Sequence, residues 1–412
     1  MENTDESESV TGMIVAFDGN VGADIVEVMP REVILGESLL TPGLQTSVKV
    51  HSYIHNIVGG QVKNFDKFKS LNLIITLNRP INKTYGVQSS LNIRQKIYRV
   101  DERHLINNST EEFNIKACDQ TQLNDAETLV SKSWKCTTPS EIVRYVLPTC
   151  AGAEDYIIQD SNPARDYIAE NIHPFQVVGQ QASYALDPDG DDPSYVHFMT
   201  YADESNNFSG GIHHFESIKR MAKQEPVMRF VFNESDKAYI DPRSILTYSF
   251  PCDFDLLSDI LNGVNSSGRD INSLAIFNPV SKTFSLLGND SIGCGIGSGV
   301  IKAAISNQNT AQQQDSCPDY AKEYMLKRQA RMGLLEKDKI ALRIVVPFNP
   351  GLHAGKTIEA NFMNKESENM PLLNYGSGKY LILHMFHHIL AGGMATTILD
   401  CVSSTVGERG EV

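Results

Sequence analysis

Long apolar runs, a secretory signal and clusters of basic residues are all missing from this sequence. Its longest apolar runs, residues 71–77 and 340–347, have the length of strands and fall far short of the roughly 20 residues that a membrane-spanning helix needs. Residues 1–9 are acidic and polar, whereas a secretory signal is basic and then apolar. The sequence therefore predicts neither a membrane span nor export by that route.

Positive charge is scarce. The chain has 36 lysines and arginines against 50 aspartates and glutamates, which gives a formal net charge of −14. Proteins that read nucleic acids contact phosphates through clustered Lys and Arg, so this balance disfavours that class. A negatively charged conduit, however, repels the DNA backbone and keeps it from adhering. The charge is therefore compatible with passage of DNA, and specific DNA binding is not predicted.

Cysteine pairs with motif spacing are also missing. The sequence contains no C-x-x-C motif, and an odd number of cysteines argues against a disulfide framework. We therefore expect reduced cysteines and synthesis in a reducing cytoplasm. The seven cysteines are Cys118, Cys136, Cys150, Cys252, Cys294, Cys317 and Cys401.

Motifs of catalysis are absent too. There is no Gly-x-Ser-x-Gly elbow and no His-Glu-x-x-His helix, and the acidic residues are too dispersed to suggest a glycosidase pair. We predict no catalytic residue, no cofactor and no cofactor-binding residue. The alternative is a hydrolase whose residues meet only in the folded chain.

Two groups of histidines could suggest a metal site. In a strand, His384 and His387 would lie on opposite faces, and no Glu or Cys near them or near His388 completes a ligand set. The same alternation separates His213 from His214. We predict ordinary strand histidines and no metal ligand.

Two loops resemble ligand-binding loops only in part. The acidic run Asp187, Asp189, Asp191 and Asp192 has its glycine fourth, where an EF-hand has it sixth, and its twelfth position is Phe198. Residues 293–299 are glycine-rich but lack the spacing of a phosphate-binding loop. We predict a solvated acidic loop and a flexible loop.

The pattern along the chain predicts β-rich, α+β architecture. After an acidic, flexible segment over residues 1–22, short β segments separated by turn residues fill residues 23–135 and predict a β-barrel or sandwich. Thr138, Pro139 and Glu141 then form a helix start, which opens a small α+β domain over residues 136–240. The β pattern resumes over residues 241–412 and is interrupted by an exposed loop over residues 288–314. Two β domains of similar size are compatible with an internal duplication.

The C-terminal segment predicts an antiparallel hairpin. Tyr380, Ile382, His384 and Phe386 alternate with the residues between them, and Gly392 and Gly393 can supply the positive φ angles of a tight connection to residues 395–402. Gly355 is predicted to permit the turn before a strand over residues 356–362.

Segments in a fixed order along the chain carry a family resemblance. They are residues 113–117 with 129–134 and 139–143, residues 174–178 with 196–199 and 214–217, Gln224-Glu-Pro-Val-Met-Arg-Phe230, and Leu352-His-Ala-Gly-Lys-Thr-Ile358 with Ser377-Gly-Lys-Tyr-Leu-Ile382. Over roughly residues 70–405, the chain resembles the baseplate hub proteins of contractile-tailed bacteriophages.

The resemblance implies two tube-type β-barrel domains, residues 23–135 and 241–412, with the α+β insert between them. It also implies a structural virion protein, not an enzyme. Three copies would form a pseudo-six-fold ring that joins the tail tube to a trimeric central spike. The ring would line the channel for DNA and the tape measure protein during genome ejection.

The partners that the resemblance implies are other copies of the chain, the spike, tail tube proteins, the tape measure protein and baseplate wedge proteins. DNA would pass through the lumen without specific binding. The expected place is the tail baseplate of the virion, after synthesis in the host cytoplasm. The alternative is a cell-wall or polysaccharide hydrolase, or a receptor-binding module, of a phage tail.

Overall fold

The computed structural model of the chain describes residues 12–19, 26–53, 71–78, 90–108, 110–189, 193–201, 211–232, 242–251, 273–278, 283–288, 301–305, 341–362, 376–391 and 394–403. The strands up to residue 200 are β1 (Gly12–Gly19), β2 (Val26–Ser38), β3 (Gln45–Tyr53), β4 (Leu71–Asn78), β5 (Ser90–Asn107), β6 (Thr110–Cys118), β7 (Val130–Thr137), β8 (Tyr156–Ile158), β9 (Arg165–Ile172) and β10 (Tyr195–Thr200). Those that follow are β11 (Ile212–Ser217), β12 (Met228–Phe232), β13 (Ser244–Ile245), β14 (Thr247–Ser249), β15 (Ser273–Asn278), β16 (Thr283–Gly288), β17 (Ile301–Ile305), β18 (Leu342–Pro347), β19 (Thr357–Phe362), β20 (Gly378–Leu390) and β21 (Ala395–Val402).

The described helices are short. They are α1 (Gln120–Glu127), α2 (Pro139–Val146), which continues into a π-helical turn over Leu147–Ala151, α3 (Pro174–Tyr184) and α4 (Ile218–Ala222). The predicted start of α2 is confirmed. The Thr138 hydroxyl accepts from the backbone N–H of Glu141, and the Glu141 carboxyl accepts from that of Thr138. The fold is β-rich and α+β, as predicted.

Six strands of the first half form a closed ring. β1 pairs with β4, and the order continues through β5, β6, β3 and β2 back to β1, with every pair antiparallel. Closure gives each of the six strands a neighbour on both sides over part of its length, and apolar side chains fill the interior of the ring. The interior includes Val33, Leu35, Val48, Val50, Leu73, Ile75, Ile93, Phe113 and Ile115.

β1 corrects one expectation. Residues 1–22 were predicted to be a flexible segment, and that is wrong for Gly12–Gly19, which pairs along its whole length with β4 and closes the ring. The expectation of a flexible segment rests on the acidic composition of residues 1–9. The apolar run over residues 13–17 has strand propensity and can pair with a strand on each side.

The second half forms another ring. β12 pairs with β19, and the order continues through β20, β21 and β18 to β14. Only Leu246 separates β13 from β14, and its N–H donates to the carbonyl of Val345 in β18, so the two act as one strand. β13 pairs with β12 and thereby closes the ring.

The two rings have the same connectivity. If each ring's strands are numbered 1 to 6 in chain order, with β13 and β14 counted together, both rings follow the order 1-4-5-6-3-2 and return to 1. A register shift in strand 5 recurs at the equivalent place, between Ile97 and Arg99 in β5 and between Ile382 and His384 in β20. Direction differs only at strand 1, because β12 is parallel to its neighbours and β1 is antiparallel. The shared order supports the internal duplication that the sequence analysis raised.

A pair of strands joins the rings, and we call it the seam. β2 pairs with β1 over residues 26–28 and with β20 over residues 32–38. β20 likewise pairs with β19 over residues 378–381 and with β2 over residues 384–390. Each strand therefore closes its own ring with its first part and reaches the other ring with its second part.

The register shift in β20 corrects the predicted alternation. Tyr380 and Ile382 face the ring interior, but beyond the shift the interior residues are Met385 and Ile389, while His384 lies half-buried on the other face. The assignment of residues 380, 382, 384 and 386 to one face is wrong beyond Ile382. A bulge adds one residue and so exchanges the two faces of the strand. The hairpin of β20 with β21 itself is confirmed.

The segment over residues 288–314, predicted to be a loop, contains a strand. β17 lies inside it and pairs with β15, which also pairs with β16 in a three-stranded sheet. Glycine, serine and glutamine around the strand lowered its β signal. The sequence pattern also predicts a helix over residues 319–335, which lies outside the described residues.

The helical layer, which we define as residues 119–222, lies in the chain between the two rings. Two sheets pack with α2 and α3 around a second core. One consists of β8, β11 and β10, and the other of β7 and β9. That core includes Ile142, Val143, Val146, Val177, Val178, Tyr195 and Phe215. The division at residues 135 and 240 stays a prediction. β12, at residues 228–232, belongs to the second ring by its strand pairing.

The cysteines only partly follow the expectation. Cys118, Cys150 and Cys401 are free thiols, whereas Cys136 is disulfide-bonded. The expectation of reduced cysteines is wrong for Cys136, because spacing in the sequence does not reveal which sulfur atoms the fold brings together.

Candidate functional site

The C-terminal histidines separate as predicted. His387 is buried, and its Nδ1 contacts the hydroxyl of Thr397 at 2.9 Å. His388 lies on the other face and contacts the Glu32 carboxyl at 2.6 Å across the seam. Within the part of the chain that the structure describes, no cluster of His, Cys, Asp and Glu could hold a metal ion.

His213 and His214 also face opposite sides of β11. The His213 ring stacks beside His197 and contacts the Thr121 hydroxyl at 3.0 Å. That hydroxyl donates to Asp119, whose carboxyl also accepts from the N–H of Gly211 at 2.9 Å. The result is a buried chain of hydrogen bonds that links α1 to the sheet of the helical layer.

The acidic loop is described only up to Asp189. Asp187 is partly exposed and accepts from the backbone N–H of Asp189 at 3.0 Å, and Asp189 is solvent-exposed, as a solvated turn requires. Asp191, Asp192 and the glycine-rich residues 293–299 lie outside the described residues. Among the described helices, none combines the length and apolar character needed to cross a membrane.

A cleft of about 300 Å³ opens between the helical layer and the β18–β19 connection. On its wall, the His214 ring contacts the Thr200 hydroxyl through Nε2 at 2.9 Å and the Glu216 carboxyl through Nδ1 at 3.2 Å. It also stacks on Phe198, with 4.6 Å between ring centroids. A hydroxyl, an imidazole and a carboxyl in this order resemble the parts of a nucleophilic triad. Thr200 is only 4% exposed and lies within a paired strand, so we interpret the array as a structural network.

A buried polar junction lies below this cleft, and no pattern in the sequence indicated it. Glu37, near the end of β2, is 1% exposed. Its carboxyl accepts from the N–H of Tyr201 and the N–H of Ala354, both at 2.7 Å, and contacts Nδ1 of His353 at 2.9 Å. One side chain thus ties the first ring to the helical layer and to the second ring. The only signal in the sequence was a glutamate within an otherwise apolar strand end.

Burial of histidines predicts acid sensitivity. Burial lowers the pKa of His213 to about 4 and that of His387 to about 3, and neighbouring histidines act in the same direction. Because the folded state holds these rings neutral, the stabilisation is complete above the unfolded pKa near 6.5 and declines as the pH falls towards 4 and then 3. We expect the free energy of unfolding to fall by a few kcal/mol over this range.

Urea denaturation between pH 7.5 and pH 3.5 measures this loss. A His387→Asn variant, which has no titrating ring, should have a shallower pH dependence than the wild type. Equal slopes in the wild type and the His387 variant would contradict the assignment.

No protein-family model and no curated protein matches the chain. Solved structures do resemble it. The tail protein from Neisseria meningitidis MC58 superimposes with a TM-score of 0.54 at 9% identity, over 96% of this chain and 98% of that chain. The E. coli c3393 protein superimposes with a TM-score of 0.50 at 7% identity, over 97% of this chain and 78% of that chain. That protein is a component of the type VI secretion system and exhibits structural similarity to T4 bacteriophage tail proteins gp27 and gp5.

At such low identities the likeness is one of fold. The chain therefore has the fold of phage tail proteins and of a type VI secretion component. These neighbours are a tail protein and a component of a secretion system.

Proposed function

We propose that the chain is the hub of a tail baseplate, in which three copies form a pseudo-six-fold ring between the tail tube and a trimeric spike. The observation that carries the proposal is the repeated connectivity of the two strand rings in one chain. Three chains with two equivalent rings present six similar units, while the whole keeps three-fold symmetry. Such an object can match a six-fold partner on one side and a three-fold partner on the other.

The surface charge supports a channel wall in this hub. A sheet runs without a break from β6 through β3, β2, β20 and β21 to β18. On the face away from the ring interiors, His388 contacts Glu32, and Arg343 binds Asp400 through two hydrogen bonds of 2.5 and 2.8 Å. A guanidinium held in such a pair, as in Arg343, is poorly placed to bind a phosphate. The face suits passage of DNA and the tape measure protein without adhesion.

The mass of the purified chain in solution tests the proposal. We expect a particle of about three times the 45.7 kDa chain by analytical ultracentrifugation, and a six-lobed ring with a central hole in electron micrographs. A protein that stays monomeric at all accessible concentrations, or forms a closed dimer, would contradict the hub. The spike, the tube proteins and the wedge proteins remain its proposed partners. The virion baseplate is its proposed location.

A further inference from the structure

Strand 5 of each ring ends differently. In β20, residues 384–390 follow the register shift and pair with β2 at the seam. Ile97 and Arg99 of β5 correspond to Ile382 and His384 of β20 at this shift. A further shift between Asp101 and His104 adds one residue to β5, so residues 104 and 105 are the equivalents of residues 388 and 389. β4 pairs with β5 only up to Lys96. In the described chain, the second half of β5 therefore has β6 on one edge and no strand on the other.

Strand 2 of each ring shows the complementary difference. In β2, residue 31 interrupts the register with β3, and residues 32–38 then pair with β20. In the second ring, Leu246 makes the equivalent interruption, so Thr247 corresponds to Glu32. β14 pairs with β18 on one edge, and among the described strands none pairs with its other edge.

Exposure marks both edges as incomplete. At the seam, Val33 of β2 and its partner Ile389 of β20 are fully buried. At the open edges, Tyr248, the equivalent of Val33, is 42% exposed, and Leu105 of β5 is 64% exposed. Apolar side chains at both open edges are thus exposed where the seam buries its own.

We infer that the seam repeats between copies of the chain, so that β5 of one copy, at residues 104 and 105, pairs antiparallel with β14 of the next. The inference rests on the proposed trimer and names its interface. The seam register places Tyr248 opposite Leu105, as Val33 lies opposite Ile389, and Ser249 opposite His104, as Ile34 lies opposite His388.

The two edges do not pair with each other within the described chain. They are the two ends of an eight-strand sheet, β5-β6-β3-β2-β20-β21-β18-β14, and lie seven strand spacings apart, about 34 Å measured along the sheet. Two different edges that complement each other make a heterologous contact, which closes into a ring when the rotation allows. Three chains joined in this way continue one sheet around the whole ring.

Paired cysteines test the register. Opposite residues of an antiparallel pair have Cα atoms about 4.5–5.5 Å apart, within the range that a disulfide spans. A Ser249→Cys, His104→Cys double variant should form covalent dimers and trimers under oxidation, and neither single variant should. An Ile34→Cys, His388→Cys double variant is the matched control. Its disulfide forms inside one chain and leaves the mass unchanged.

A charge at the open edge provides an independent readout. Leu105→Asp should weaken association at least tenfold in sedimentation experiments without changing the melting temperature of the monomer. Leu129→Asp, at a site that is 53% exposed but lies outside both edges, should leave association unchanged.

The outcomes separate this inference from the proposed function. A wild-type trimer that resists Leu105→Asp, and that gives no covalent species with the first cysteine pair, overturns the interface and leaves the hub intact. A wild-type chain that never associates overturns both. Covalent trimers together with weakened association by Leu105→Asp support both.

Discussion

Replacement of Glu37 by alanine is expected to lower the free energy of unfolding by about 3–5 kcal/mol. The carboxyl group accepts from Tyr201 and Ala354 backbone N–H groups and contacts His353, all in a buried site. Alanine leaves those donors buried without an acceptor, and each such group costs about 1–3 kcal/mol. Urea denaturation at pH 7.5 measures the loss.

The control for this experiment is Glu359→Ala. Glu359 binds Arg229 at 2.8 Å, and the arginine side chain is 65% exposed. Exposed pairs of this kind contribute about 0–1 kcal/mol, so the control should remain close to the wild type. Glu37→Gln keeps one acceptor oxygen and should fall between the two. A loss below about 1 kcal/mol for Glu37→Ala would show that the junction does not contribute substantially to stability.

Replacement of Gly355 by alanine is expected to cost about 2–4 kcal/mol. Gly355 has a φ of +83°, which L-residues rarely adopt, so the prediction that it permits the turn before β19 is confirmed. A Cβ atom at this position would lie 2.8 Å from Cζ of Phe198 and 2.9 Å from Sδ of Met221. Both side chains are buried, so neither can move without disturbing the contact between the helical layer and the second ring.

Gly179→Ala is the matched control for this position. Gly179 lies in α3, and no heavy atom would come within 4 Å of an added Cβ. Alanine favours the helix, so this variant should gain about 0.5–1 kcal/mol. Thermal denaturation of the two variants under one condition makes the comparison. Equal melting temperatures of the two variants would show that neither the lack of space nor the positive φ at Gly355 affects stability.

Local features of the fold were predictable from the sequence. The cap at Thr138, the helix α3 and the hairpin of β20 with β21 depend on residues close together in the chain, whose chemistry acts over a few positions. The strand of Gly12–Gly19 was missed, because its partner β4 lies more than 50 residues away. Pairing with a distant strand leaves little signal in a short apolar run.

The candidate interfaces were less predictable. Glu37 looks like any strand glutamate until three elements converge on it, and Leu105 looks like a core residue until its edge is found open. The bulge after Ile382 also has no clear sequence signal, although it decides which histidines face the interior. Each of these features depends on register, and register is set by pairing over the whole sheet.

The sequence by itself determined the class of the fold: strand-length apolar segments, turn residues between them and few helix starts leave a β-rich, α+β chain with no membrane helix in its described part. Only the tertiary structure decided that both halves close into rings of the same order, that a seam joins them and that two complementary edges have no partner strand in the described part of the chain. The physical reason is that backbone hydrogen bonds between strands are the same for every residue type, so side chains specify that a strand forms but seldom which strand it joins.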